Sequence, residues 1–181
     1  LEAGPPADVA TELAQRAVGF HEEWYGEGAP VLLSLLRKIL ESDPSSFDWA
    51  FPRLTVAYTS SESWDELLSL YDAEIERNQS DAERATSLLE EAIQTAKDFA
   101  DAPDRAIDYL NALLEYRPGD PSLEEQLRRL LERQERWLEL IGLLRTRIGR
   151  LGAAEGAPIR FEIAALYLDR VGAIDEAIEE I

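Results

Sequence analysis

Cysteine and methionine are both absent from this chain of 181 residues, and histidine occurs once. Without cysteine there is no disulfide framework, no thiolate zinc site and no cysteine nucleophile. A single histidine excludes any site that needs two imidazoles and makes a poor zinc site by itself. We expect neither a metal nor a cofactor. Because synthesis starts with methionine, we do not expect Leu1 to be the biological start of the protein.

Basic residues are scarce as well, with 18 lysines and arginines against 37 acidic residues and a formal net charge of −19. Nucleic acids and anionic membranes are bound through basic surfaces, so we expect neither as a partner. No apolar run approaches the roughly 20 residues that a membrane helix needs. The first ten residues, LEAGPPADVA, lack the basic and apolar regions of a secretory signal. These features favour a cytoplasmic location.

Catalytic motifs are missing too. The sequence contains no glycine-rich phosphate loop, no Ser/His/Asp set and no calcium loop, and its adjacent acidic residues do not face each other on a helix. We therefore expect that the protein is not an enzyme.

Apolar residues recur every three or four positions along nearly the whole chain, the period of amphipathic helices. The first such face is formed by Val9, Leu13, Ala17, Phe20 and Trp24. No stretch alternates with the two-residue period of a strand. Ser80 and Ser122 each precede a glutamate by three residues, which predicts that both serines cap helices. Short breaks at proline and glycine indicate antiparallel neighbouring helices, and we predict an all-α fold.

Helices with similar sequences recur along the chain. Trp64-Asp65-Glu66 matches Trp137-Leu138-Glu139, and Ala106-Ile107 matches Ala177-Ile178. Aligned at positions 32, 64, 106, 137 and 177, these helices are separated by 32, 42, 31 and 40 residues. A period in this range indicates a solenoid of helical hairpins, in which alternating short and long units bury their apolar faces against one another.

Residues 166–178, LYLDRVGAIDEAI, carry the most specific motif. A large residue, a turn glycine and the run D-E-A-I resemble a divergent, bacterial-type tetratricopeptide repeat. Ala106, Leu110 and Pro118 are similar to that family's alanine, aromatic and closing proline positions. The resemblance implies a right-handed superhelix of about five antiparallel helix pairs.

The domain organisation follows from these repeats. We expect a flexible N-terminal tail at residues 1–8 and a single repeat domain over 9–181, cut from a longer array. We predict units at about 9–43, 44–79, 80–120, 121–152 and 157–181.

Charge is uneven along the chain. Residues 128–150, here called the basic segment, hold three acidic and seven basic residues, a net charge of +4, whereas both flanks are acidic. Arg129, Arg133 and Arg136 follow i, i+4, i+7 spacing, which predicts that they line one helix face. In tetratricopeptide repeats the first helix of each unit lines the concave groove, and the planar guanidinium suits carboxylates. These arginines are candidates for binding an acidic or C-terminal carboxylate segment; the alternative is a solvated face that pairs locally with Glu125, Glu132 and the acidic neighbouring units.

Trp49 is the second type of candidate. It lies in the bulky run Phe47-Asp48-Trp49-Ala50-Phe51-Pro52, where an aromatic ring could face the groove. Trp64 and Trp137 occupy matching repeat positions, which favours packing over ligand binding.

The resemblance implies a non-catalytic interaction module, a scaffold or adaptor that binds a partner peptide or helix. Two alternatives stay open: a structural spacer within a larger protein, and an accessory or catalytic domain that uses groove carboxylates. A basic or aromatic stripe along the groove would favour the scaffold, and a groove without such a stripe would favour the spacer. A closed pocket in which carboxylates converge would favour the enzyme. The acidic flanks beside a basic segment also suggest self-association.

Overall fold

Ten α-helices make up the computed structural model, which describes residues 7–26 and 29–181 and has no strand within them. The all-α prediction is confirmed, and the helices pack as neighbouring pairs. Of the predicted tail, residues 1–6 lie outside the described residues. The helices are α1 Ala7–Tyr25, α2 Pro30–Ser42, α3 Phe47–Ser60, α4 Trp64–Arg77, α5 Ala82–Asp98, α6 Pro103–Tyr116, α7 Pro121–Arg133, α8 Trp137–Leu151, α9 Ala153–Leu166 and α10 Ile174–Glu179.

The second helix of each pair begins at Pro30, Trp64, Pro103, Trp137 and Ile174, so successive starts are 34, 39, 34 and 37 residues apart. Short and long spacings alternate as predicted, but they differ from each other by less than the predicted 32, 42, 31 and 40 residues. Trp64 and Trp137 are the first residues of their helices, whereas Ala106 and Ala177 are the fourth. The alignment from sequence therefore matched the first residue of some helices with the fourth residue of others, a shift of about one helical turn. This shift exaggerated the difference in length between short and long repeats.

The turns between the two helices of a pair share one backbone feature. Glu62, Asp101, Glu135 and Gly172 each have a positive φ, of 53°, 46°, 55° and 76° respectively. Only the last is a glycine, the residue that adopts this left-handed conformation at least cost. The turn is therefore a repeated structural feature even where its sequence signal is absent.

Aspartates, rather than the predicted serines, cap two first helices. Asp81 accepts a hydrogen bond from the Arg84 amide at 3.2 Å. Asp120 accepts from the amides of Ser122 and Leu123 at 2.8 and 3.2 Å. The predictions for Ser80 and Ser122 are wrong because the acidic side chain immediately upstream of each helix reaches its free amides first.

Replacing Asp120 tests this cap. We expect Asp120→Ala to lower the free energy of unfolding by about 1 kcal/mol, because it leaves two amides of α7 without their side-chain acceptor. Ser122→Ala, two residues on, is the matched control and should change stability by less than about 0.5 kcal/mol. Urea unfolding followed by circular dichroism measures both; equal effects would show that the aspartate does not act as the cap.

The contacts divide the chain into two compact units, one ending at Leu70 and one running from Tyr71 to Ile181. In the first unit α2 packs against α3, around Leu32, Leu36 and Leu54, which are almost fully buried. The apolar face predicted for α1 is not buried there. Leu13, Phe20 and Trp24 are 55%, 62% and 68% exposed, and α1 buries Val18 instead.

The second unit contains the regular part of the array. Each of its helices from α5 to α9 packs against the next, and the buried side chains come from the predicted three-and-four spacing. The fully buried large side chains of this unit are Leu89, Ile107, Leu110, Leu113, Leu127, Leu131 and Leu140. This packing holds α5, α6, α7 and α8 side by side and positions the candidate site.

Candidate functional site

Ion pairs occupy most of the basic segment. Five of its seven arginines join carboxylates: Arg128 binds Glu132 and Glu162, Arg129 binds Glu125, Arg136 binds Glu139 and Asp104, Arg145 binds Glu180, and Arg150 binds Glu124. Four of these five arginines reach a carboxylate outside their own helix. Most of the charge of this segment is therefore paired within the chain, and only part of it is available to a partner.

Arg129 and Arg133 are the accessible members. The Arg129 side chain is 75% exposed, and its Nε lies 2.7 Å from Oε1 of Glu125, one turn earlier on α7. Arg133 is exposed at the end of α7 and makes no ion pair with the described part of the chain. The alternative to partner binding, local pairing with Glu125, is thus present for Arg129. This ion pair is exposed to solvent and therefore weak.

Arg136 does not share their helix face. Helix α7 ends at Arg133, and the left-handed Glu135 turns the chain before Arg136, which precedes α8. Its Nε and a terminal nitrogen contact the two carboxylate oxygens of Glu139 at 2.6 and 2.7 Å, and it reaches Asp104 at 3.0 Å. The hydrogen bonds to Glu139 raise the pKa of Arg136. The i+7 prediction failed because it assumed an unbroken helix.

A groove lies between the first helices α5 and α7, and its α7 lining reaches Gln126, one turn before Arg129. This α5–α7 groove has a volume of about 350 Å³. Lys97 on α5 donates a hydrogen bond to the Gln126 amide oxygen on α7 at 3.0 Å across it. Its lining residues are Glu90, Ile93, Gln94, Lys97, Asp98, Leu113, Arg117, Asp120, Ser122, Leu123 and Gln126.

The two arginines share a helix face with two residues of the groove lining. Ser122, Gln126, Arg129 and Arg133 are separated by four, three and four residues on α7, so they share one face. Sequence reasoning found the two arginines and missed Lys97 and Gln126, whose contact joins positions 29 residues apart. Their separation of nearly one repeat is the only sequence signal that could have linked them.

Bonds between neighbouring repeats form another feature. On α6, Arg105 binds Asp72 of α4, and the Tyr109 hydroxyl donates to the same carboxylate at 2.6 Å. Burial, followed by the hydrogen bond to Asp72, raises the pKa of Tyr109, so its hydroxyl stays protonated as the donor. The Arg136–Asp104 pair also joins neighbouring repeats, at different helix positions, because Arg136 stands just before α8 and Asp104 is at the start of α6.

Trp49 lies in the first unit, on α3. Its ring is partly buried, with the Arg53 guanidinium 5.8 Å from the ring centre. The indole nitrogen is buried and donates no hydrogen bond within the described residues. The Arg53 terminal nitrogen also bonds the Trp49 carbonyl at 2.9 Å. One side of this aromatic ring is therefore already in contact with a cation.

Neither a metal cluster nor a membrane helix is found in residues 7–26 and 29–181. No three histidine, aspartate or glutamate side chains converge there as metal ligands. None of the helices in these ranges is both long enough and apolar enough to span a bilayer.

No protein-family model and no curated protein matches the chain. Among solved structures, MamA of AMB-1 is 20% identical, covering 96% of this chain and 88% of its own, with a TM-score of 0.40. MamA of MSR-1 is 19% identical over 95% and 92%, with a TM-score of 0.39. A thermophilic TPR protein of Thermus thermophilus is 16% identical over 94% and 87%, with a TM-score of 0.34. At this level of similarity, the partners and binding sites of these proteins cannot be transferred to this chain.

Proposed function

We propose that the chain is a non-catalytic interaction module, a scaffold or adaptor that binds a partner peptide or helix along the α5–α7 groove. The observation that carries this proposal is the exposed pair Arg129 and Arg133, which continues the groove-lining face of α7 in a chain of net charge −19. Stacked helical hairpins present extended surfaces suited to such partners.

The chemistry of this face favours an acidic or C-terminal carboxylate segment. A guanidinium binds a carboxylate through two parallel hydrogen bonds, and Arg133 has no internal partner in the described part of the chain. The exposed i, i+4 pair of Arg129 with Glu125 contributes only about 0.3–0.5 kcal/mol, so a partner carboxylate can replace it. The polar side chains of Lys97 and Gln126 supply further contacts along the groove.

The other two candidates have supporting roles in this proposal. Arg136 is held by Glu139 and Asp104, so it positions the turn after Arg133 rather than contacting the partner first. Trp49, on α3 of the first unit, is a separate secondary candidate for an aromatic contact with a partner.

A structural spacer is the second candidate function. The connections between neighbouring repeats, from Arg105 to Asp72 and from Arg136 to Asp104, favour it because they link consecutive units. The interaction module and the spacer are both compatible with these ion pairs. A measurement of peptide binding distinguishes the two functions. Self-association through the same charged surfaces is a further proposal, which light scattering across a salt series tests.

Peptide selection followed by affinity measurement tests the interaction module. A displayed library of peptides with free C-terminal carboxylates is selected against the chain. We expect Arg129→Ala/Arg133→Ala to weaken the selected peptides at least about tenfold, because hydrogen bonds between charged groups contribute about 1.5–3 kcal/mol each. Fluorescence anisotropy gives the dissociation constants.

Arg147→Ala is the matched control for this test. Arg147 lies in the basic segment, is exposed and makes no ion pair with the described residues, but it is on α8. Its replacement removes the same charge and should leave the affinity within about twofold, the level of a screened distant charge. Failure to select any peptide, or equal affinity for the double variant and the native chain, would favour the spacer.

A further inference from the structure

The opposite side of α7 carries a second groove, which the proposed function does not use. At 100° per residue, Leu127 and Leu131 lie roughly opposite Gln126 and Arg129 on the helix. They form the floor of a groove of about 430 Å³, here called the α6–α8 groove, whose sides are the second helices α6 and α8. Because it faces away from Arg129, this surface is independent of the carboxylate-binding proposal.

The floor of the α6–α8 groove is aliphatic and its sides are open. Leu127 and Leu131 are nearly fully buried, whereas Leu114 and Leu143 are half-buried and present apolar surface to the groove. Gly142 opens the α8 side, since a Cβ built there has no atom within 4 Å. Asn111 and Thr146 are exposed at the rim and supply hydrogen-bonding groups.

The rim of this groove is acidic. Its lining includes three carboxylates, Glu115, Glu124 and Glu139, and one guanidinium, Arg150, a net charge of −2. Arg150 is bound to Glu124, and Glu139 is bound to Arg136 just outside the lining. Glu115 is exposed and forms no ion pair within the described part of the chain.

Asp108 adds a further negative charge near the α6–α8 groove. Asp108 lies on the same face of α6 as Asn111 and Glu115, three and seven residues before them. The guanidinium in the lining, Arg150, is thus already paired with a carboxylate, and the lining keeps a net charge of −2; Arg147, which makes no ion pair with the described residues, lies on α8 outside the lining.

We propose that the α6–α8 groove docks a cationic amphipathic segment of a partner protein, with aliphatic side chains on the leucine floor and lysines or arginines on the acidic rim. An apolar groove with polar edges is the usual receptor for the apolar face of such a helix. The net charge of −2 in this groove lining attracts a basic segment and disfavours an acidic one at this surface. The chain then has two recognition surfaces on opposite sides of α7, with opposite charge preferences.

Blocking the groove with one side chain tests the proposal. The probe is a fluorescein-labelled 14-residue peptide with leucines at helical spacing and lysines between them. We expect Gly142→Leu to weaken its binding at least about tenfold, because the new side chain occupies the groove that the peptide leucines would fill. Gly142 lies within a helix and has open space around it, so leucine fits the fold without strain.

Gly149→Leu is the matched control. Gly149 is also within α8, has no atom within 4 Å of the place where a Cβ would stand and is not part of the groove lining. It should leave the affinity within about twofold. Equal binding by both glycine variants would overturn the proposal, since it would mean that the peptide adsorbs to the acidic surface in general.

A charge variant keeps the test decisive if Gly142→Leu disturbs the fold. Thr146→Lys places a cation at the exposed rim without changing a buried group, and we expect it to weaken the basic peptide about fivefold at low salt. Unchanged binding by this variant would also count against the groove. Carboxylate peptides that bind through Arg129 and Arg133 should bind all three variants normally, so the two proposals fail separately.

Discussion

Ile107→Ala is expected to lower the free energy of unfolding by about 2–5 kcal/mol, whereas Ile178→Ala should lower it by less than about 0.5 kcal/mol. Both isoleucines follow the alanine at the fourth position of a second helix, so they occupy the same place in the repeat. Ile107 is 0% exposed and Ile178 is 68% exposed. The first substitution leaves a cavity between packed helices, and the second removes a side chain that is mostly in water.

Urea unfolding of both variants, followed by circular dichroism, measures this difference. Ile141→Ala is a third member of the series, because Ile141 has the same repeat position on α8 and is 1% exposed. It should resemble Ile107→Ala. Equal losses at Ile107 and Ile178 would contradict the burial that separates these two copies of one motif.

Arg77→Ala is expected to lower the free energy of unfolding by about 1–3 kcal/mol at pH 7. Glu74, one turn earlier on α4, is only 2% exposed, and its carboxylate is paired with Arg77. Removing the arginine leaves a buried charge without its nearest counter-charge. Surface pairs elsewhere in the chain have far less effect, because water screens both partners.

The cost of Arg77→Ala should depend on pH in a defined direction. Burial raises the pKa of the Glu74 carboxyl above its ordinary value of 4.5, and Arg77 offsets this only in part. The folded chain thus holds this proton more tightly than the unfolded chain. The stability from this group is fully present below pH 4.5 and is lost as the pH rises through the raised pKa.

Without Arg77 the pKa of Glu74 rises further, so the loss of stability should be larger at pH 7 than near pH 4.5. The measurement is the free energy of unfolding of Arg77→Ala minus that of the native chain, at several pH values between 4.5 and 7. Arg147→Ala supplies the baseline for an exposed arginine and should stay within about 0.5 kcal/mol throughout. A pH-independent loss at Arg77 would show that Glu74 is not the group responsible.

Sequence reasoning succeeded where the information is local. The predicted recurrence of apolar residues every three or four positions is found in helices such as α7, where Leu123, Leu127 and Leu130 are buried, and Gly152 and Gly172 end helices with positive φ as expected. The local signal failed at α1, because a three-and-four pattern identifies an apolar face without showing that another helix covers it.

The candidate site was predicted only in part for a related reason. Arg129 and Arg133 share a helix face as the spacing required, but the left-handed Glu135 ends that regularity before Arg136. A glutamate in this conformation is uncommon, and its sequence gives no warning of it. The α5–α7 groove appears only when Lys97 and Gln126, from different helices, come together.

The amino-acid sequence by itself determined the helical class, the repeat and the unequal charge, because each follows from composition or from periodicity within a few turns. Only the tertiary structure decided which cations are available to a partner. That outcome depends on contacts such as Arg150 with Glu124 and Arg145 with Glu180, 26 and 35 residues apart. Such pairs form because packed helices bring distant side chains within hydrogen-bonding distance, and no local pattern records which arginine will meet which carboxylate.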